Sequence, residues 1–261
     1  MNDSSHPLRR KLRQGGTIAG VWADIPHPQV TGAIATAGFD FVILDCEHGG
    51  WDFGALEGGI AACETAGAAA LVRSPGPDAF FIQRALDLGA DGIVVPQIPD
   101  ADAAARAVAM AHFAPDGTRG YNPFTRGGRY GIAPQPKLAR GYPFTGVLVE
   151  SPAAAEHLAA IVRQPLLDLV YLGVYDYSVA LGVPGQVDDP RVHAFVERAA
   201  RLARDAGKAV GTTAMNREQV ARLTGWGVNV LLYGADTWLV AQGARAGLAL
   251  YGRLAAASAG K

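Results

Sequence analysis

The chain has 261 residues, of which 49% are hydrophobic and 18% charged, and its formal net charge is −1. A chain of this size can bury a full core as one domain, here residues 1–261. Its near-neutral charge argues against nucleic acid as a partner. The lack of an apolar stretch of about 18 residues argues against membranes. The two cysteines, Cys46 and Cys63, are too few for a disulfide framework and lack zinc-type spacing with histidines, so a reducing, cytoplasmic location is expected.

The first half of the chain predicts a strict alternation of strands and helices. Residues 1–14 are expected to form a polar N-terminal arm with a short helix over 8–14, ended by a Gly-Gly pair. Strands are predicted over 17–23, 41–44, 68–72 and 92–95, and helices over 28–37, 55–66, 79–88 and 101–111. Alternation of this kind is typical of right-handed βαβ units and a parallel sheet.

Residues 112–144 interrupt the alternation with a segment rich in Gly, Pro, Arg and Tyr, and a loop of this length in a compact domain is usually functional. Strands are then predicted over 145–149, 167–172, 209–212 and 228–233, and helices over 152–162, 190–206, 217–224 and 238–255. Eight strands, each with a helix after it, favour a closed (β/α)8 TIM barrel over an open doubly wound sheet. Neither a dinucleotide-binding glycine motif after the first strand nor a P-loop motif is present.

Polar side chains follow the ends of several predicted strands, and in a parallel barrel all of these ends share the rim where active sites lie. The residues expected at this rim are Asp45, Glu47, His48, Arg73, Gln97, Glu150 and Asp176. An ordinary structural explanation exists for some of them: Asp45 could cap the following helix, and His48 could be a surface histidine.

Glu150 and Asp176 follow neighbouring strands, and together they could hold a hard divalent cation. Carboxylates in such positions are often helix caps. Ser151 before Pro152, however, already supplies a cap and a first-turn proline, which leaves Glu150 for chemistry. Arg73 ends an apolar strand and needs an anionic partner, either a rim carboxylate or an anionic ligand.

No lysine ends a predicted strand, since Lys137, Lys208 and Lys261 lie in a loop, before a strand and at the terminus. A Schiff-base aldolase is therefore disfavoured.

The chain contains, in order, the stretches GFDFVILDCEHG, LVR, ALDLGADGIVVPQI, FAPDGTRG, VLVES, YLGVYDYSVALG and WGVNVLLYGADT. In order and spacing these stretches resemble the HpcH/HpaI aldolase family of class II, metal-dependent pyruvate aldolases. The linked E-H, V-R, V-E-S and G-x-x-D-x-S elements make the resemblance specific, and it spans most of the chain.

The resemblance implies a (β/α)8 barrel whose final helix is exchanged between subunits, in a homohexamer built of two trimers. It implies Mg²⁺, Mn²⁺ or Co²⁺ held by Glu150 and Asp176, a catalytic histidine at His48, an enolate-stabilising arginine at Arg73, and an aspartate at Asp87 that pairs with the histidine. Because Asp87 lies near the end of a predicted helix, on the face opposite the strand ends, it would have to reach the histidine from another subunit or by an unusual bend of the chain.

The expected reaction is reversible aldol cleavage and addition between a pyruvate-type 2-oxo acid and an aldehyde. A 2-oxo acid can chelate a divalent ion, which makes its C3 proton removable. Arg73 would stabilise the enolate oxygen, and His48 would move protons at the aldehyde-derived oxygen. Asp45 is a further catalytic candidate, and the 2-oxo acid is expected to contact Arg73, Gly173, Tyr175 and Asp176, partly through backbone N–H groups.

Two departures from the family pattern leave other functions open. Leu148 stands where many of these aldolases carry Gln, and Gly173 is followed by Val-Tyr-Asp in place of Pro-x-Asp, so that Tyr175 and Tyr177 would crowd the rim. The family also includes a metal-independent citrate synthase and an oxaloacetate-using synthase, which makes a carbon–carbon bond-forming synthase one alternative. A non-catalytic barrel that binds a dicarboxylate is another.

The acceptor aldehyde is not identified by these patterns. Arg119, Arg126 and Arg129 in the long loop hint at an acidic acceptor.

Overall fold

Eight parallel strands close into a barrel in chain order, and the last strand pairs with the first. The computed structural model describes residues 6–132 and 142–259. Its strands are β1 (Ile18–Ala23), β2 (Phe41–Asp45), β3 (Ala69–Arg73), β4 (Gly92–Val95), β5 (Phe144–Val149), β6 (Leu169–Leu172), β7 (Ala209–Thr213) and β8 (Val230–Ala235). The predicted (β/α)8 barrel is therefore confirmed.

Helices follow the strands and form the outer layer. They are α1 (Pro7–Arg13), α2 (Pro28–Thr36), α3 (Phe53–Ala66), α4 (Ala79–Asp87), α5 (Ala101–Ala111), α6 (Pro152–Glu156), α7 (Leu158–Ile161), α8 (Val174–Ala180), α9 (Pro190–Asp205), α10 (Arg217–Trp226) and α11 (Asp236–Ala259), with a 3₁₀ turn over Arg129–Gly131. The single helix predicted over 152–162 is wrong, because the chain breaks at His157 into two short helices. Helix α8, directly after β6, was not predicted.

Side chains of a strand point alternately into the barrel and toward the helices. The inward positions at the N-terminal and middle levels carry large apolar side chains that are fully buried, among them Phe41, Ile43, Leu71 and Phe144. Gly20 leaves room for this packing, because a Cβ there would lie 2.3 Å from the Phe41 ring. At the C-terminal level the same alternation brings inward Trp22, Asp45, Arg73, Leu148, Tyr171 and Thr213.

Helix α1 packs on the N-terminal end of the barrel, so the expected polar arm is in part a buried element. Leu8 and Arg9 are only 2% and 4% exposed. Arg9 Nε and Nη2 donate to the two carboxylate oxygens of Asp168 at 2.7 Å, and its other N–H groups donate to the carbonyls of Tyr142 and Pro143. Residues 1–5 of the predicted arm lie outside the described residues.

Helix α11 begins at Asp236, two residues before the predicted start, and runs on beyond the barrel. Its large apolar side chains are mostly exposed: Val240 59%, Leu248 73%, Leu250 56% and Tyr251 73%. Among the described helices, none is long and apolar enough to cross a membrane.

Candidate active site

A cavity of about 480 Å³, here called the rim cavity, opens at the C-terminal ends of the strands. Its lining includes Trp22, Asp24, Asp45, His48, Arg73, Leu148, Tyr171, Gly173, Tyr175, Asp176, Thr213, Met215 and Trp238. It therefore gathers most of the polar residues that the strand ends predicted.

Arg73 is held in one orientation on the wall of the rim cavity. Its Nε donates to Asp45 Oδ1 at 2.8 Å and its Nη2 donates to Asp45 Oδ2, while Nη1 lies 2.9 Å from Glu47 Oε2. The Trp22 ring lies against the guanidinium, 4.4 Å from its carbon. Although burial alone would lower the pKa of Arg73, its bonds to Asp45 and the charge of Glu47 raise that pKa overall, so the cation is firmly maintained.

Asp45 also shapes the turn that carries the histidine. Its Oδ1 accepts hydrogen bonds from the backbone N–H groups of Glu47 and His48, at 3.0 and 3.3 Å. The helix-cap explanation for Asp45 is wrong, because Asp52 caps α3 by accepting from the Ala55 N–H at 2.8 Å. His48 lies exposed on the edge of the cavity.

Glu150 lies at the end of β5 and is fixed from two sides. Its Oε1 accepts the backbone N–H of Gln97 at 2.8 Å, and Gln97 adopts a positive φ of 60° to present that group. The Gln97 amide nitrogen also donates to Glu47 Oε1 at 3.1 Å. Gly173 must be a glycine here, since a Cβ would lie 2.6 Å from the Glu150 Cβ.

Asp176 lies in the first turn of α8, and Ser151 rather than Glu150 caps the helix after β5. In the described part of the chain no group of three or more His, Cys, Asp or Glu side chains is arranged to hold a metal ion. The predicted pair, Glu150 and Asp176, would supply two oxygen ligands, and their charges do interact. Burial raises the pKa of Glu150, and the charges of Glu47 and Asp176 raise it further. A divalent cation would relieve this repulsion, and the oxygen ligands suit a hard ion.

The inner wall of the rim cavity contains polar groups that the motifs did not reveal. The Tyr171 hydroxyl lies 2.7 Å from Thr213 Oγ1, and the Tyr171 ring packs edge-on against Trp22. Burial raises the pKa of Tyr171 to about 12. The alternation of inward positions along β6 and β7 is the sequence signal that could have identified this pair.

Asp24 and Asp236 were also missed. Asp236 is completely buried, and it accepts the backbone N–H groups of Asp24, Ile25 and Thr237 at 2.7 to 3.0 Å. Asp24 follows β1 and lines the rim cavity. The sequence signal that could have identified both residues is an Asp directly after the last residue of β1 and of β8.

Several expected participants lie elsewhere within the subunit. Asp87 ends α4, pairs with Arg119 at 2.7 Å and is not among the lining residues of the rim cavity, and Arg126 pairs with Glu64. Within one subunit Arg119 and Arg126 are thus each paired with a carboxylate, so they do not support the prediction of an acidic acceptor.

The expectation that Tyr177 crowds the rim is also wrong, because its ring stacks on Phe195 at 4.0 Å. Lys208 Nζ donates to the Gln164 and Leu167 carbonyls before β7. Lys137 and Lys261 lie outside the described residues.

Comparison with known proteins places this geometry in context. A model of the HpcH/HpaI aldolase/citrate lyase family matches residues 19–243. The chain is 30% identical to a pyruvate aldolase of Rhizobium etli over 92% of this chain and 94% of that protein.

Two solved structures share the fold closely. A crystal structure of an HpcH/HpaI aldolase/citrate lyase family protein from Burkholderia cenocepacia superposes with a TM-score of 0.89 at 26% identity, over 95% of this chain and 99% of the other. The citrate synthase SbnG superposes with a TM-score of 0.86, also at 26% identity, over 95% and 98%.

Proposed function

Because the chain belongs to the HpcH/HpaI aldolase/citrate lyase family, we propose that it catalyses the reversible aldol reaction of a pyruvate-type 2-oxo acid with an aldehyde, assisted by a divalent metal ion. The observation that carries the proposal is one fixed arginine, Arg73, that lines the rim cavity together with Asp176, while Glu150 packs against the lining residue Gly173 and lies within electrostatic reach of both. An anion-binding group next to a cation-binding group suits a metal-chelated 2-oxo acid.

Glu150 and Asp176 would hold Mg²⁺, Mn²⁺ or Co²⁺, and such an ion, when bound, supplies Lewis acidity to the keto oxygen of the substrate. The Gln97 N–H and the close approach of Gly173 keep the Glu150 carboxylate in place. The Gly173 N–H donates to the Val149 carbonyl at 3.1 Å. The backbone N–H groups of the first turn of α8, from Val174 to Asp176, would therefore bind the substrate carboxylate, with Tyr175 beside them.

Arg73 would stabilise the enolate oxygen. Of its five N–H groups two donate to Asp45, and the contact with Glu47 is an ion pair without an aligned hydrogen bond, so donors are left for the substrate. Because the two carboxylates and the Trp22 ring fix the guanidinium plane, these donors are oriented before the substrate arrives. Asp45 thus acts on the reaction by positioning Arg73 and the turn that carries His48.

His48 would transfer the proton to and from the aldehyde-derived oxygen. An imidazole is suited to this task because its ordinary pKa lies near neutral pH. Its exposed position at the edge of the cavity allows contact with a substrate that enters from solvent.

A proton-exchange experiment tests the proposal. Pyruvate is incubated with the protein in D₂O, and loss of the C3 proton signal is followed by NMR with Mg²⁺, with Mn²⁺ and with EDTA. We expect exchange that depends on added metal. No exchange under any condition would favour a barrel that only binds dicarboxylates.

The second candidate is a carbon–carbon bond-forming synthase that uses oxaloacetate. The likeness to the citrate synthase SbnG and the apolar Leu148 in the rim cavity favour it. Exchange or condensation activity that survives EDTA would support this alternative over the metal-dependent aldolase.

We also propose that the enzyme is a homohexamer of two trimers in which α11 is exchanged between subunits. The exposed apolar side chains of α11 need a partner, and Leu248 and Tyr251 are each 73% exposed. Asp87, which is paired with Arg119, would contact His48 of a neighbouring subunit. Part of the loop over 112–144 would approach that subunit as well, and residues 133–141 of this loop lie outside the described residues. Light scattering with gel filtration, beside activity on dilution, tests this. A fully active monomer would contradict it.

Cys46 and Cys63 are free and buried. They support a cytoplasmic location, where thiols stay reduced.

A further inference from the structure

The closed strand order divides the rim cavity into two sides. In a barrel of eight strands β1 lies opposite β5, so the chain position of Asp24, after β1, is on the other side of the barrel from that of Glu150, after β5. A 2-oxo acid bound near Glu150, Asp176 and Arg73 would occupy the side formed by β3, β5 and β6. The aldehyde is left with the side formed by β1, β2 and β8, where His48 and Asp24 lie.

Asp24 is held firmly on this side. Its backbone N–H donates to the buried Asp236 at 2.9 Å, and its carbonyl accepts the Gly50 N–H at 3.2 Å. The Thr237 hydroxyl donates to Asp24 Oδ2 at 3.2 Å, while Oδ1 has no hydrogen bond from the residues that the structure describes. One oxygen of a rigidly placed carboxylate is thus available to a ligand.

Negative charges outweigh positive ones around Asp24. Burial raises the pKa of Asp24, and the charges of Asp45 and Asp236 raise it further, while the Thr237 hydrogen bond and the charge of Arg73 offset only part of this rise. A second anion at this position would be repelled, whereas a hydroxyl group could donate a hydrogen bond to the available oxygen.

We propose that Asp24 is a specificity-determining residue that accepts a hydrogen bond from a hydroxyl group of the acceptor, so that the enzyme prefers an uncharged hydroxyaldehyde to an unsubstituted or an anionic aldehyde. The inference rests on the proposed aldol reaction. It gives this side of the rim cavity a role in selecting the acceptor aldehyde, separate from the binding of the 2-oxo acid and the metal ion.

The test compares three acceptors in aldol addition with pyruvate: glyceraldehyde, propanal, which lacks both hydroxyl groups, and glyoxylate, which is anionic. We expect Asp24→Ala to lower kcat/KM for glyceraldehyde by about tenfold to a hundredfold, the range for a hydrogen bond to a charged group. The loss for propanal should be at least about threefold smaller than the loss for glyceraldehyde, and kcat/KM for glyoxylate should rise. Equal losses for glyceraldehyde and propanal would overturn the proposal.

Two further variants make the result specific. Asp52→Ala removes a carboxylate from the same end of the barrel but outside the rim cavity, and it should leave the preference among the acceptors unchanged. If Asp24→Ala does not fold, Asp24→Asn carries the test, because it keeps the shape and removes the charge. An unchanged glyoxylate-to-glyceraldehyde ratio in Asp24→Asn would then refute the proposal.

Pyruvate C3 proton exchange, measured on the same preparations, distinguishes failure of the proposed aldol function from failure of the proposed role of Asp24. Wild-type protein without exchange means that the proposed function fails, and the role of Asp24 with it. Wild-type exchange with an unaltered acceptor preference in the Asp24 variants means that only the role of Asp24 fails.

Discussion

Each end of the barrel carries a buried arginine bound by an aspartate, yet the two clusters differ in how fully their charges are matched. At the N-terminal end, Arg9 donates to both oxygens of Asp168 and to two backbone carbonyls. Asp168 also accepts the Thr145 N–H at 2.9 Å. Both carboxylate oxygens of Asp168 and four of the five Arg9 N–H groups of this basal cluster therefore have a protein partner.

At the C-terminal end, Arg73 is the centre of a cluster with surplus negative charge. It contacts Asp45 and Glu47, while Asp24 and Glu150 lie close enough for the surrounding charges to raise their pKa values. Glu47 Oε2 accepts no aligned hydrogen bond from the described residues, although it lies 2.9 Å from Arg73.

The comparison shows where the fold can tolerate unfavourable electrostatics. The charges of the basal cluster are matched inside the protein, whereas the rim cluster keeps a surplus of negative charge, which the proposed ligands would offset. Substitutions at the two ends should therefore separate stability from activity.

The largest effect is expected from Glu150→Gln and Asp176→Asn. Loss of either carboxylate should abolish metal binding in calorimetry and lower retro-aldol activity by about a thousandfold or more, because a Lewis acid supplies several kcal/mol to the transition state. Glu57→Gln, an exposed substitution on α3, is the control. Unchanged metal affinity in both variants would contradict the metal site.

Glu150→Gln should also raise the thermal midpoint of the metal-free protein. Because the pKa of Glu150 is raised in the folded state, its ionised form is destabilising at neutral pH, and an uncharged amide removes that cost. A lower midpoint would show that the carboxylate supports the fold instead.

Arg73→Lys is expected to lower activity by about a hundredfold to a thousandfold, since an ammonium cannot reproduce the planar donors that face Asp45, Glu47 and an enolate. Circular dichroism should show a folded protein. Arg84→Lys, on α4 beside Phe53, is a matched control that should retain activity. Near-normal turnover in Arg73→Lys would mean that this arginine only supports structure.

Arg9→Met should act on stability instead. Removing one partner of a buried ion pair leaves Asp168 uncompensated and should cost about 3 to 5 kcal/mol in urea unfolding. The exposed pair Lys11–Asp40 offers a control on the same helix, and Lys11→Met should cost less than about 1 kcal/mol. Similar losses in both variants would contradict the distinction between buried and exposed pairs.

The smallest effect concerns acid sensitivity at the basal end. Burial lowers the pKa of His112 to about 4, while in the unfolded chain it titrates near 6.5. The unfolded state therefore binds the extra proton below pH 6.5, so stability is present above that pH and is lost as the pH falls. Relative to His112→Gln, wild type should lose about 1.5 kcal/mol more between pH 6.5 and 5. The free energies of unfolding of wild type and His112→Gln, measured with urea at each pH, should therefore diverge as the pH falls. Equal changes with pH in the two proteins would contradict this.

Much of the site could be predicted because strand ends in a parallel barrel converge. Arg73 and Glu150 end or directly follow apolar runs, whereas His48 and Asp176 come within four residues of theirs. Their placement at one rim requires only the strand count. The partners of Arg73 could not be chosen from the sequence, because Asp45 and Glu47 are ordinary loop residues that also have capping and surface roles.

The amino-acid sequence by itself determined the alternation of eight strands and helices, the barrel and the order of residues around its rim. These follow from local apolar periodicity and from the connection rules for parallel strands. Only the tertiary structure decided that Arg9 is buried against Asp168, that Asp236 fixes the backbone at Asp24, and that Asp87 pairs with Arg119 away from His48. Contacts between residues 32 to 212 positions apart depend on side-chain directions in the closed barrel, and no local pattern encodes them.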